Sequence, residues 1–283
     1  MKCFSVDLYD YYGVKKPDGG KGILTCYVKE NSEEIDPERR APAILIFPGG
    51  AYVFCSFREN EPVALKYMAF GFNAFVLDYS VAPVRYPYAL AETYMAMEYL
   101  RQNADELLID ENKITALGFS AGGHLCGTLG SYFDSEDAEA VFKGKFSPRP
   151  NAVVLCYPVI TYGEKSHNFS FDSLCGENEE LKRKLQVNKL VNGNSAPAFI
   201  WATYNDNGVP VRNSLEVALA YEKAGVPFSL HVFGNGVHGL SVADITCYGD
   251  HGLIDTASLS TGEWVRLSVE WLAELGIKID DRK

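Results

Sequence analysis

Lys113-Ile114-Thr115-Ala116-Leu117-Gly118-Phe119-Ser120-Ala121-Gly122-Gly123-His124 is the stretch on which the reading of this chain turns. Its first six residues form a short apolar run, the mark of a strand buried on both faces. Gly118-Phe119-Ser120-Ala121-Gly122 then matches G-x-S-x-G, and His124 to Tyr132 continues as a helical stretch. A serine set between a strand and a helix is the context of a nucleophile elbow. The sharp turn lifts its hydroxyl to the carboxyl edge of a sheet. The helix behind it offers free N–H groups and the positive end of a dipole to a developing oxyanion. Ser120 is therefore the candidate nucleophile, and the amide of Ala121 a candidate oxyanion donor.

Moving outward, further apolar runs read as strands: Ala43 to Phe47, Ala74 to Leu77, Ala152 to Cys156, Ala198 to Ala202 and Phe228 to Phe233. Helical patterns lie between them. One carries Leu90, Tyr94 and Met97. A second carries Leu215, Ala218 and Leu219 and stops at Gly225. A third carries Trp264, Leu267, Trp271 and Leu275. Strand–helix alternation predicts an α/β fold with a mostly parallel, doubly wound sheet. Ser5 to Tyr9 and Ile23 to Val28 read as an N-terminal antiparallel hairpin at the sheet edge. Residues 131–150 and 161–195 break the rhythm and are expected to be short lid-like insertions. No linker divides the chain, so a single domain over 1–283 is expected.

Pro48-Gly49-Gly50-Ala51-Tyr52 closes the run that ends at Phe47. A glycine-rich loop at this place brings backbone N–H groups close to a substrate carbonyl. Gly50 or Ala51 is the expected first oxyanion donor, with Ala121 the second.

A serine needs a base at neutral pH. Of five histidines, His124 is too near Ser120 in sequence to reach back to it. His167 lies in an insertion, His231 in mid-strand and His251 in a polar loop. His238, in Gly234-Asn235-Gly236-Val237-His238-Gly239 just past the last strand, is the candidate base. The orienting acid is expected between serine and histidine in chain order. Asp206, just beyond the Ala198 strand, fits; the competing Asp172 falls in an insertion.

The net charge of -11 gives no electrostatic footprint for nucleic acid or anionic lipid. No apolar run approaches the ~20 residues of a membrane span. Seven cysteines, odd in number and without a CxxC pair, are expected to be reduced thiols and not a zinc site. The beginning of the sequence has no apolar signal region, and a cytoplasmic location is expected. The sequence leaves open whether copies form a homo-oligomer.

The order P-G-G-A-Y, G-F-S-A-G-G-H-L, D-N-G-V-P-V and G-V-P-x-x-L-H-V-F-x-x-G-x-H-G resembles acetyl-xylan-esterase-like α/β hydrolases, within the group that includes hormone-sensitive-lipase-like esterases. The likeness runs from about Ala43 to Trp271. It implies the α/β-hydrolase fold, a triad of Ser120, Asp206 and His238, and hydrolysis of small acyl esters, often acetyl groups on sugars, without a metal or organic cofactor. Ala51 departs from the resemblance where a third glycine is frequent, and Tyr204-Asn205 is unusual before the acid. An amidase or formamidase, or a general carboxylesterase, would use the same parts. A silent binding domain on this fold usually lacks triad members. Tyr52 and Tyr79 are expected to contact substrate, in a set of aromatics with Phe54, Phe57, Tyr86 and Tyr88. Such rings near the nucleophile would leave a shallow acyl slot that favours acetyl over hexanoyl or longer groups.

Overall fold

The computed structural model describes residues 1–248 and 258–279. Eight strands form one sheet: β1 (Lys2–Asp7), β2 (Ile23–Val28), β3 (Ala41–Phe47), β4 (Asn73–Asp78), β5 (Ile109–Phe119), β6 (Ala152–Cys156), β7 (Ala198–Thr203) and β8 (Phe228–Phe233). Their order is β1-β2-β4-β3-β5-β6-β7-β8. The β1–β2 and β2–β4 pairs are antiparallel and all the others parallel.

Both faces of the sheet are covered, which is why its strands read as continuous apolar runs. Along β3, Ala43, Leu45 and Phe47 face one core cluster, while Ile44 and Ile46 face the other. The first cluster packs under α1 (Leu8–Tyr12), α3 (Tyr88–Gln102), α4 (Ser120–Ser131) and α9 (Arg212–Ala224). The second packs under α2 (Glu61–Ala69) and α12 (Trp264–Glu274), where Trp201 of β7 stacks on Trp264 with ring centroids 5.1 Å apart. The remaining helices are short: α5 (Glu136–Glu139), α6 (Asn168–Cys175), α7 (Glu179–Lys184), α8 (Val187–Leu190), α10 (Ile245–Tyr248) and α11 (Ser258–Thr261). No described helix is long and apolar enough to cross a membrane.

Three details differ from the sequence reading. The first strand ends at Asp7, and Tyr9 belongs to a helix. The Asp7 carboxylate accepts from the amides of Tyr9 and Asp10, an N-cap that starts α1. On α9 the buried residues are Asn213, Ser214, Val217, Ala218 and Tyr221. Leu215 and Leu219 are 42% and 64% exposed, so only Ala218 of the expected stripe faces inward. Polar Asn213 takes a core position because its side-chain oxygen accepts from the amides of Ile160 and Thr161. Leu275 is the C-cap residue of α12 and is 38% exposed. Gly225, by contrast, ends α9 in the left-handed conformation expected of a helix stop.

The register of the parallel strands places the site. Phe47 pairs with Gly118 and Phe119 with Cys156, so the loops after β3, β5 and β6 leave the sheet side by side. Thr203 pairs with Phe233, so the loops after β7 and β8 leave together as well.

Candidate active site

Ser120 sits at the start of α4 with φ of 52°, in the left-handed region. A non-glycine residue there carries strain of about 1–3 kcal/mol, which the surrounding structure must hold. The flanking glycines are needed for space. A Cβ on Gly118 would lie 2.1 Å from the Gly122 carbonyl oxygen, and one on Gly122 would lie 2.1 Å from that of Phe47. The elbow is thus pressed against the end of β3, beside the Pro48–Tyr52 loop.

Ser120, His238 and Asp206 lie in one chain of hydrogen bonds. His238 Nε2 is 2.8 Å from Ser120 Oγ, and His238 Nδ1 is 2.8 Å from Asp206 Oδ2. The Asp206 side chain is 1% exposed. Its other oxygen accepts from the amides of Gly208 and Val209 at 2.8 and 2.9 Å. A carboxylate acceptor at Nδ1 keeps the proton on that nitrogen and leaves Nε2 free to accept from the serine hydroxyl. Gly208 makes room for the ring, since a Cβ there would lie 2.8 Å from His238 Cγ. Asn205 joins the acid and base loops, its side-chain oxygen accepting from the Gly236 amide at 2.8 Å.

The loop after β3 has two further left-handed residues, Ala51 (φ 55°) and Tyr52 (φ 58°). Among the described residues, neither the Gly50 nor the Ala51 amide donates a hydrogen bond. The amide of Ala121, in the first turn of α4, has no intrahelical acceptor. All three expected donors therefore remain available to an oxyanion.

Tyr52 and Tyr79 are not where the sequence reading put them. They are 2% and 0% exposed and do not line the cleft above Ser120. Tyr79 donates to the Pro48 carbonyl at 2.6 Å, and Tyr52 bonds His124 Nδ1 at 2.8 Å. His124 Nε2 lies 2.8 Å from the Leu185 carbonyl, which only accepts, so Nδ1 is the acceptor for the tyrosine. Burial pushes the His124 pKa down to about 4, keeping the ring neutral. Both tyrosines hold the loop from beneath, because their hydroxyls find partners only on its buried side.

The cleft holds about 200 Å³ and is lined in part by Phe54, Arg58, Glu59, Ser120, His167 and His238. Larger hollows lie elsewhere, such as one of about 340 Å³ beside Tyr94 and Phe146, but Ser120 and His238 line none of them. Glu59, His167 and Arg58 are lining residues to which the sequence reading gave no site role. Glu59 is buried, and its two oxygens accept from the Gly49 amide at 2.7 Å and the Tyr157 hydroxyl at 2.6 Å. Desolvation raises its pKa and those two hydrogen bonds oppose the rise. The Tyr157 ring packs edge-on against His238, with centroids 5.1 Å apart. His167, from the 161–195 insertion, reaches the cleft with Nδ1 2.8 Å from Ser170 Oγ. Arg58 precedes Glu59 and is exposed. Its signal was the charged pair Arg58-Glu59 so soon after the glycine loop. The 131–150 insertion lines the larger hollow instead. His231 stacks on Phe199, and His251 lies outside the described residues.

The family model named BD-FAE matches residues 32–220. The chain is 38% identical over 207 residues to endo-1,4-beta-xylanase B of Butyrivibrio fibrisolvens, covering 71% of this chain and 33% of that protein. It is 27% identical over 257 residues to the acetylxylan esterase of Xylanibacter ruminicola, covering 88% and 49%. It thus spans about a third to a half of the length of these curated relatives. The crystal structure of an acetyl ester-xyloside bifunctional hydrolase from Caldicellulosiruptor lactoaceticus superposes with a TM-score of 0.78 at 37% identity, covering 90% of this chain and 89% of that one. The fold is that of the α/β hydrolases.

Proposed function

Because the chain belongs to the BD-FAE family, we propose that it is a serine esterase that removes short acyl groups, acetyl foremost, from small sugar esters. The observation that carries this reading is the pair of 2.8 Å contacts running from Asp206 through His238 to Ser120. That relay opens on a cleft to which Gly50 and Ala51 also contribute.

The chemistry follows from the geometry. His238 Nε2 takes the Ser120 proton as Oγ attacks the ester carbonyl. The oxyanion is received by the amide of Ala121 and by that of Gly50 or Ala51; one such donor is typically worth ~2.7–4 kcal/mol. The imidazolium, held by Asp206, returns the proton to the departing alcohol. Water, activated by the same histidine, then cleaves the acyl-serine and releases the acid.

The sugar part of the reading is supported by the acetylxylan esterase and the acetyl ester-xyloside hydrolase among its relatives. Seven free cysteines favour a reducing compartment, so the substrates are small esters inside the cell. The test is hydrolysis of p-nitrophenyl acetate and of acetylated xylo-oligosaccharides by the wild type and by Ser120→Ala. Activity confined to the wild type is expected. A folded Ser120→Ala protein with undiminished activity overturns the reading.

A further inference from the structure

Arg58 is the one arginine among the described residues whose guanidinium has no hydrogen bond and no ion pair. Arg40, Arg183, Arg212 and Arg266 pair with carboxylates, and Arg39, Arg85, Arg101 and Arg149 bond backbone carbonyls. This unpartnered cation lines the cleft that holds Ser120. Its guanidinium lies beside Gly239, where a Cβ would come within 3.3 Å of Arg58 Nη2.

The carboxylates around it are already committed. Both Glu59 oxygens accept from Gly49 and Tyr157, and Asp206 is engaged by His238 and two amides. Both carboxylates are buried, so Arg58 is the one exposed side chain of fixed charge among the described residues of the lining, in a chain whose net charge is -11. We propose that Arg58 is a specificity-determining residue that selects esters carrying a carboxylate on the alcohol part, with acylated acidic sugars as the substrate class.

Two further arguments narrow the ligand. The guanidinium lies against Gly239, next to His238, and His238 must protonate the departing alcohol oxygen, so the anion it meets is on the leaving-group side. A guanidinium presents two parallel N–H donors that match one carboxylate. A phosphate dianion would keep a second charge uncompensated, since no lysine and no second arginine lines the cleft. Exposed Phe54, beside Arg58 in the lining, offers an apolar face to the sugar ring.

This inference rests on the esterase reading and deepens it. The experiment compares kcat/KM for a mono-acetylated methyl glucuronide and the matching methyl glucoside, in the wild type, Arg58→Gln and Arg58→Lys, with p-nitrophenyl acetate as a third substrate. The readout is the acidic-to-neutral ratio within each protein, so a general loss of activity does not imitate the effect. One charge-assisted contact predicts a wild-type ratio of about tenfold. The ratio should fall to near unity in Arg58→Gln and recover in part in Arg58→Lys. A wild-type ratio of one, or a ratio that survives Arg58→Gln, overturns the proposal. So does a substitution that alters only inhibition by free acetate, because Arg58 would then meet the released acid. Wild-type failure on all three substrates would instead overturn the esterase reading.

Discussion

Glu59 accepts the amide proton of Gly49 at 2.7 Å from a buried position, and its carboxylate is also favoured by the nearby charge of Arg58. Its second oxygen accepts from Tyr157, whose hydroxyl also receives the Ser241 amide and whose ring packs on His238. One carboxylate thus links the oxyanion loop to the loop that carries the base. Burying a charge is costly unless hydrogen bonds compensate, and here both bonds go to groups that position the chemistry. Glu59→Gln is expected to fold and to lose about tenfold in kcat, because one of two acceptors becomes a donor. Glu59→Ala is expected to lose about a hundredfold, with Gly49 and Tyr157 both left unsatisfied. Steady-state kinetics beside thermal melts separate this from unfolding, and wild-type kcat in a folded Glu59→Ala protein would rule the linkage out.

The left-handed conformation at Ala51 makes a second prediction. Glycine adopts φ near 55° without strain, alanine at a cost of about 1–2 kcal/mol, and a β-branched side chain at more. Ala51→Gly should keep activity within about threefold and stability within about 1 kcal/mol, since relief of strain is offset by the added entropy of the unfolded chain. Ala51→Val should lose activity by more than about tenfold, because the loop must change shape to admit it. Equal kcat/KM in the two variants would contradict this.

The placement of Ser120, His238 and Asp206 was legible because each follows a strand and each is a residue type with few substitutes in the proposed role. Their meeting at one sheet edge follows from parallel pairing, which the apolar runs announce. The roles of Tyr52 and Tyr79 were not legible. Aromatic residues beside a nucleophile read alike whether they face the cleft or the core, and only the partners of their hydroxyls separate the two. His167 was hidden because it reaches the cleft from an irregular insertion without periodicity. On α9, Leu215 and Leu219 outweighed Asn213 and Ser214 by hydrophobicity, although hydrogen bonds from the Ile160 and Thr161 amides, in the loop after β6, put Asn213 in the interior.

His124 gives a pH prediction. Its folded pKa of about 4 lies below the ordinary 6.5, so the native state resists protonation. A histidine depressed in the folded state contributes stability that is fully present above pH 6.5 and is lost as pH falls through 4. A shift of this size corresponds to a loss on the order of 3 kcal/mol once the ring is charged. Because His124 holds Tyr52 under the oxyanion loop, activity should fall along with stability. His124→Gln is expected to be less stable at pH 7 but to show a flatter decline between pH 6.5 and 4. Parallel urea titrations of the two proteins across that range check the difference, and equally steep declines would contradict it.

Acyl length is the last consequence, and its cause differs from the one that the sequence suggested. Tyr52 and Tyr79 do not close an acyl slot, since both lie beneath the oxyanion loop. The limit is the cleft itself. At about 200 Å³ it lies below the roughly 300–1,000 Å³ of pockets that enclose drug-sized ligands, and it must hold part of the alcohol as well as the acyl group. A deep apolar channel would add about 0.8 kcal/mol for each buried methylene and would favour long chains steeply. Here the additional methylenes have no enclosed surface to meet, and they compete with the alcohol for space beside Phe54 and His167. The ratio kcat/KM is therefore expected to peak at acetate or propionate in a series of p-nitrophenyl esters and to fall by at least about tenfold by octanoate. A series that rises toward octanoate would mean that the cleft opens further than its resting shape, and would move the proposed substrate from sugar acetates to lipid esters.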